Sequence, residues 1–159
     1  MRNGMNYICL PPESNPPSIT SVPSRFLVIA DVTASVPWIE NVCRWIVASG
    51  CLYMMAWGRN GMRWEGFVDR INDDEFAGRE VPMNRFIFTT TDYPDHTSLS
   101  EFFSLAKITA THPDVKLVRT VILHISAMNR HKELLWQYQS SPKWRRRFHR
   151  SRGRKHLHW

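Results

Sequence analysis

Nine residues fall at or just beyond the ends of the chain's apolar runs: Asp31, Trp57, Gly58, Thr91, Asp92, Asp95, His96, His124 and Ser126. In an open α/β fold, chemistry collects beyond the carboxyl ends of the strands, where the strand order reverses. Two carboxylates with an imidazole nearby could hold a divalent ion or move a proton. Asp31, Asp92 and His96 are therefore the candidate catalytic residues. A plainer reading competes with that one. Asp31 and Asp92 also suit loops that bond to their own backbone, His124 suits a hydrogen-bonded core position, and Asp-Tyr-Pro-Asp-His (92–96) is an ordinary turn composition.

The surrounding signatures weigh against an enzyme. The segment Asp31-Val32-Thr33-Ala34-Ser35 contains no glycine, so no phosphate-cradling loop follows the first apolar run. No Gly-x-Ser-x-Gly elbow and no His-Glu-x-x-His pair is present. A receiver-like phosphorylation site needs paired acids after the first strand, and only Asp31 stands there. No cofactor and no metal site is expected.

The elements that would position these residues follow from periodicity. Phe26–Ala30 is a short unbroken apolar run, which predicts a buried strand. Ser35 and Pro37 predict a helix start. Ile39, Val42, Cys43, Ile46 and Val47 then form one apolar stripe. Gly50 suits a left-handed helix end, and Cys51–Ala56 is a second apolar run. Trp64, Phe67, Val68 and Ile71 keep helical spacing, weakened by Gly61 and Gly66, with Asn72–Glu75 as a polar end. Arg85–Thr91 has strand composition, Ser98 and Glu101 make a capping box, and Leu99 to Ala110 carries a helical apolar face. Thr120–Ile125 predicts a fourth strand and Arg130–Ser140 a last helix. Alternation of this kind predicts a three-layer α/β sandwich with a mainly parallel four-stranded sheet. The expected strand order is flavodoxin-like, 2-1-3-4, which would set Asp31 and Asp92 across one crevice.

Three segments are expected: a Pro-rich N-terminal arm (1–24), outside the sheet; one α/β domain (25–141); and a basic tail (142–159), expected to be disordered. Five of the ten prolines, Pro11, Pro12, Pro16, Pro17 and Pro23, lie in the arm. Cys9, Cys43 and Cys51 form no Cys-x-x-Cys pair, which fits a reducing compartment. No apolar run approaches the roughly 20 residues of a transmembrane helix, and no secretory leader is visible, so a cytoplasmic location is expected.

The net charge of +7 is not spread over the molecule. Of 21 basic residues, eight lie in the last 17 positions, which hold no acid: Lys143, Arg145, Arg146, Arg147, Arg150, Arg152, Arg154 and Lys155. The remaining 13 face 14 acids, so residues 1–142 carry a net charge of −1. Arginine pairs with phosphate and aromatics stack on bases, so these residues with Trp144 are the candidate nucleic-acid contacts, to RNA or DNA. A solvated block of like charge is the alternative. Trp38, Trp45, Trp57 and Trp64 flank the first helix and second strand. Tryptophans so placed border cores or anchor protein partners. The resulting expectation is a protein-interaction module with a cationic tail. The rival is a small-ligand or metal-dependent enzyme using the crevice.

Several stretches carry a resemblance: Cys-Arg-Trp-Ile-Val-Ala-Ser-Gly-Cys-Leu-Tyr-Met-Met-Ala-Trp-Gly (43–58), Phe-Ile-Phe-Thr-Thr-Thr (86–91), His-Pro-Asp-Val (112–115), Ile-Leu-His-Ile-Ser (122–126) and the opening Tyr-Ile-Cys-Leu-Pro-Pro (7–12). Over about residues 5–137 the chain resembles a small bacterial family of uncharacterised domains. That resemblance implies no activity. The chain departs from it at Thr91-Asp92-Tyr93, where the family tends to have Trp followed by acids. It departs again in the basic tail, beyond the family's usual end.

Overall fold

The computed structural model describes residues 4–143. The Trp144–Trp159 part of the expected tail lies outside the described residues. The elements run β1 (Met5–Leu10), β2 (Ser24–Ala30), α1 (Val36–Ala48), β3 (Cys51–Gly58), α2 (Gly61–Asp74), a 3-10 turn (Met83–Arg85), β4 (Phe88–Asp92), α3 (Leu99–Thr109), β5 (Arg119–Ile125) and α4 (His131–Ser140). All strand pairs are parallel, in the order β1-β5-β2-β3-β4.

The architecture is α/β, with helices on both faces of the sheet. One core joins α1 and α2 (Ile39, Val42, Ile46, Trp64, Val68) to Phe26, Val28, Met54, Val121 and Leu123. The other joins α3 (Phe102, Phe103, Leu105, Ala106) to Leu27, Ile29, Met55 and Ile122. Alternate residues of β2 and β5 thus feed opposite cores, and the two-residue period of a strand explains why both read as unbroken apolar runs.

The flavodoxin-like four-stranded order is overturned in two respects. Met5–Leu10, read as arm, is a fifth strand, in register with β5 from Met5 opposite Thr120 to Leu10 opposite Ile125. The last predicted strand also sits inside the sheet, not at its edge. Burial supplies the reason. Positions 120–125 of β5 are all buried, which requires neighbours on both sides, whereas Phe-Thr-Thr-Thr-Asp of β4 is only half-buried throughout and tolerates an edge.

Local signals behave unevenly. The Ser98–Glu101 capping box forms in both directions. Ser35 precedes α1 but does not cap it: its hydroxyl and backbone N–H both donate to the Glu13 carboxylate, at 2.8 and 2.9 Å. Asn72, read as a polar end, is buried on α2, where its amide donates to Arg85 O and accepts from Ile87 N–H, guiding the chain into β4.

Glycine is needed where β3 meets α2. Gly58 has φ +113°, and a Cβ there would lie 2.3 Å from Ala30 O, the carbonyl that accepts Arg59 N–H. Gly66 in α2 faces open space. Gly58→Ala should therefore cost about 2 kcal/mol or more, whereas Gly66→Ala should add about 0.5–1 kcal/mol. Urea midpoints of the two variants check the contrast, and equal midpoints would refute it.

Candidate functional site

The strand order reverses between β2, whose chain leads to β3 on one side, and β5, which returns to the other side. His124 lies there on β5, directly opposite Ile29 of β2 and Cys9 of β1. Its ring is fully buried, and both nitrogens are engaged. Nε2 is 2.6 Å from Asp31 Oδ2, and Nδ1 is 2.7 Å from the Tyr7 phenolic oxygen.

The Tyr7 oxygen also accepts the backbone N–H of Arg130 at 2.9 Å. One proton between the phenol and His124 Nδ1 and one between Nε2 and Asp31 then complete a continuous chain of hydrogen bonds. Asp31 Oδ2 also faces Arg130 at 3.4 Å, while the Arg130 guanidinium forks onto both oxygens of Glu133 at 3.0 and 2.7 Å. The hydrogen bonds with Glu133 in turn push the Arg130 guanidinium up from its ordinary value, and Arg130 draws the Glu133 carboxyl below its own. His131, at the start of α4, stacks flat on Tyr7 with centroids 4.9 Å apart.

The chemistry open to this arrangement is narrow. Burial pushes the Tyr7 phenol up to about 12, so it is not a phenolate at neutral pH. His124 has no nitrogen free to serve as a base. Asp31, about a third exposed, faces solvent, and its hydrogen bonds and ion pairs among the described residues fall on Oδ2.

The other expected site residues lie apart from it. Asp92 ends β4, and β3 stands between it and β2, so two inter-strand spacings, roughly 9.5 Å, separate the strands that carry Asp31 and Asp92. Asp92 accepts from the Thr97 hydroxyl, and His96 is exposed in the turn before α3. The crevice expected between Asp31 and Asp92 depended on the overturned strand order. Among the described residues, no three His, Cys, Asp or Glu side chains converge as metal ligands. Trp38 and Trp45 donate to Ser14 O and Pro17 O, clamping the arm onto α1. Trp57 donates to Thr97 O, and Trp64 is buried with its N–H unpartnered. Lys143 is exposed at the end of the described chain.

Tyr7 and Arg130 are the residues that sequence reasoning missed. Arg130 carries no local signal. Tyr7 had one, since Asn-Tyr-Ile-Cys-Leu ahead of Pro11 is a run of strand composition.

Tyr7→Phe should leave His124 Nδ1 buried without a hydrogen-bond partner and cost about 1–3 kcal/mol near neutral pH. A phenol held protonated by folding contributes stability that is present below its unfolded value near 10 and is lost as pH rises towards 12. The gap between wild type and Tyr7→Phe should therefore narrow between pH 8 and pH 11 in urea titrations, and a widening gap would contradict the network.

A family model described only as a domain of unknown function matches residues 5–141. Neither the curated proteins nor the solved structures contain a match to the chain.

Proposed function

The chain belongs to the family described as Domain of unknown function (DUF7684), and on that premise we propose that it is an interaction module whose recognition face is the carboxyl edge of its sheet. The carrying observation is the distribution of exposed apolar side chains. Eight large ones are exposed among the described residues, and five of them, Val32, Val36, Met62, Tyr93 and Met128, stand in the loops or first helical turns that follow β2, β3, β4 and β5. Met62 and Met128 are the most exposed of these, at 72 and 69 %. Apolar side chains gathered on one edge, and not scattered singly, mark a binding surface. Methionine adapts to irregular partners.

Arg59 and Arg63 are exposed on the same edge, and among the described residues neither has an ion-pair partner. The favoured partner is therefore a protein with an apolar patch and an acidic rim. In this reading Trp38, Trp57 and Trp64 support the face from behind, whereas Trp45 packs on Phe26 near the amino ends of the strands and stands away from it. The His124 network fixes the loop after β5 in place, and Asp31, Asp92 and His96 are rim residues with no catalytic part.

Site-specific photo-crosslinkers in cells test the proposal. Probes at positions 62 and 128 should trap the same partner band, a probe at exposed Met83 should trap none, and Met62→Glu should erase the band trapped from position 128. Equal labelling from all three positions would overturn the assignment.

The charge distribution favours a second contact, to nucleic acid through Lys143, Trp144, Arg145, Arg146, Arg147, Arg150, Arg152, Arg154 and Lys155. If about six of the eight cations meet phosphates, affinity for single-stranded RNA should fall roughly a thousandfold between 50 and 200 mM salt. Replacing Arg145, Arg146 and Arg147 with serine should roughly halve the logarithmic salt slope, as read by fluorescence anisotropy. An unchanged slope would move the contact onto the domain.

A further inference from the structure

β4 is hydrogen-bonded to β3 on one side, and among the described residues no backbone bond reaches its other side. In a parallel ladder alternate residues turn their N–H and C=O away from the neighbour, so this outer edge presents a row of donors and acceptors. Phe88–Asp92 pairs with β3 residue for residue, without a bulge, and holds no proline and no lysine, the usual guards of an edge. A groove of about 370 Å3 follows it, lined by Asp69, Asp73, Phe86, Ile87, Phe88 and Thr89. Phe88 turns to the α3 face, where its ring stacks with Tyr53 and meets His112, whereas Thr89 turns to the α2 face and donates to Asp69. Consecutive residues with side chains on opposite faces line one groove through the backbone they share, so the groove runs along the unpaired edge.

The α2 flank over that edge is acidic and in step with the strand. Glu65, Asp69 and Asp73 follow one another at four-residue spacing, about 6 Å apart along the helix. Alternate residues of a strand are about 6.6 Å apart. β4 itself shows the match, since Thr91 donates its hydroxyl to Glu65 and Thr89 to Asp69. A strand added beyond β4, about 4.8 Å further out, would repeat that register with its own alternate side chains. Partial burial and the charges of Glu65 and Asp73 push the Asp69 carboxyl up, and among the described residues none of the three acids has an ion-pair partner. On the opposite face the exposed Phe86 ring, edge-on to Phe88 at 4.9 Å, offers apolar contact to the residues between. The acids alone would specify no ligand. The open edge supplies main-chain pairing, and the acids select which side chains accompany it.

We propose that the outer edge of β4 takes up one further strand from a partner protein, an extended segment with Lys or Arg at three alternate positions set against Glu65, Asp69 and Asp73, and with apolar residues between them beside Phe86. In such strand additions main-chain bonds supply the affinity and alternate side chains the specificity. A second copy of the chain fits less well, because an antiparallel pairing of β4 with β4 would set one acidic α2 flank against the other. This inference does not rest on the carboxyl-edge reading, which concerns a different border of the sheet.

Fluorescence anisotropy of the full-length protein with a labelled peptide, Val-Arg-Val-Arg-Val-Arg-Val, tests it. N-methylation of its arginines, or instead of its valines, keeps the charge but removes donors from opposite edges of the peptide. One of these two forms should bind at least about tenfold more weakly than the other, since a single edge faces β4. Asp73→Asn, which leaves the Thr89 bond to Asp69 in place, should weaken the parent peptide about two- to fivefold. Asp69→Asn/Asp73→Asn should weaken it further, with urea midpoints showing that both variants fold. Equal affinities of the two methylated forms would reduce the contact to charge attraction and overturn the strand pairing. Absence of binding by the parent peptide at about 50 mM salt would overturn it as well. Binding gained only after Arg150→Ser/Arg152→Ser/Arg154→Ser would assign the edge to the chain's own last residues, and dimers that the peptide does not dissociate would assign it to a second copy. Either result would overturn the partner strand.

Discussion

β2 and β5 lie side by side although α1, β3, α2, β4 and α3 separate them in sequence, and the rest of the molecule hangs on that seam. Its amino end is pinned by two arginines. Arg25 reaches Ala110 O and the Thr120 hydroxyl, and Arg119 reaches Ser24, Thr20 O and Ser49 O, all within 2.8 Å. Its carboxyl end is pinned by His124 on Asp31. Between these ends, Phe26–Ala30 and Thr120–Ile125 are buried without interruption. A parallel sheet has no tight turns, so each strand must be returned across a face. The seam therefore dictates that α1 and α2 share one face while α3 crosses the other.

Legibility in the sequence follows from how local each decision is. The β2–α1–β3 unit, the Ser98 capping box and the polar content of β4 depend on neighbouring residues and could be read directly. Strand order depends on which strand buries both edges. The clue was present in composition, since Thr-Val-Ile-Leu-His-Ile suits a central position and Phe-Thr-Thr-Thr-Asp an edge, but helix and strand periodicity does not carry it. The arm shows the same limit. Five prolines between residues 11 and 23 describe the crossover correctly and obscure the six-residue strand before it.

The site was legible only in part, for a related reason. Asp31 and His124 stand out as polar residues at the ends of apolar runs. What joins them is the placement of β5, and what completes them is Tyr7 from the far edge and Arg130 from the turn before α4. A network assembled from β1, β2, β5 and α4 has no spacing to read. Its satisfied state gives it physical meaning: a buried imidazole with both nitrogens bonded holds strands and loop in one register. The exposed apolar side chains around it then stand on a fixed frame.

The pairing of β1 has a consequence for how the protein is made. β1 leaves the ribosome first, yet its sheet neighbour is β5, the last strand to appear. Until Arg119–Ile125 has emerged, Met5–Leu10 has no neighbour to bond, and Tyr7 has no imidazole to meet. The nascent chain can assemble β2, α1, β3, α2 and β4 as a growing layer, but both sides of the β5 slot stay open. One strand late in the sequence thus closes two seams, and these are the domain's most sequence-distant strand pairings. Within the described domain, β1 thus waits on a partner strand more than a hundred residues further along.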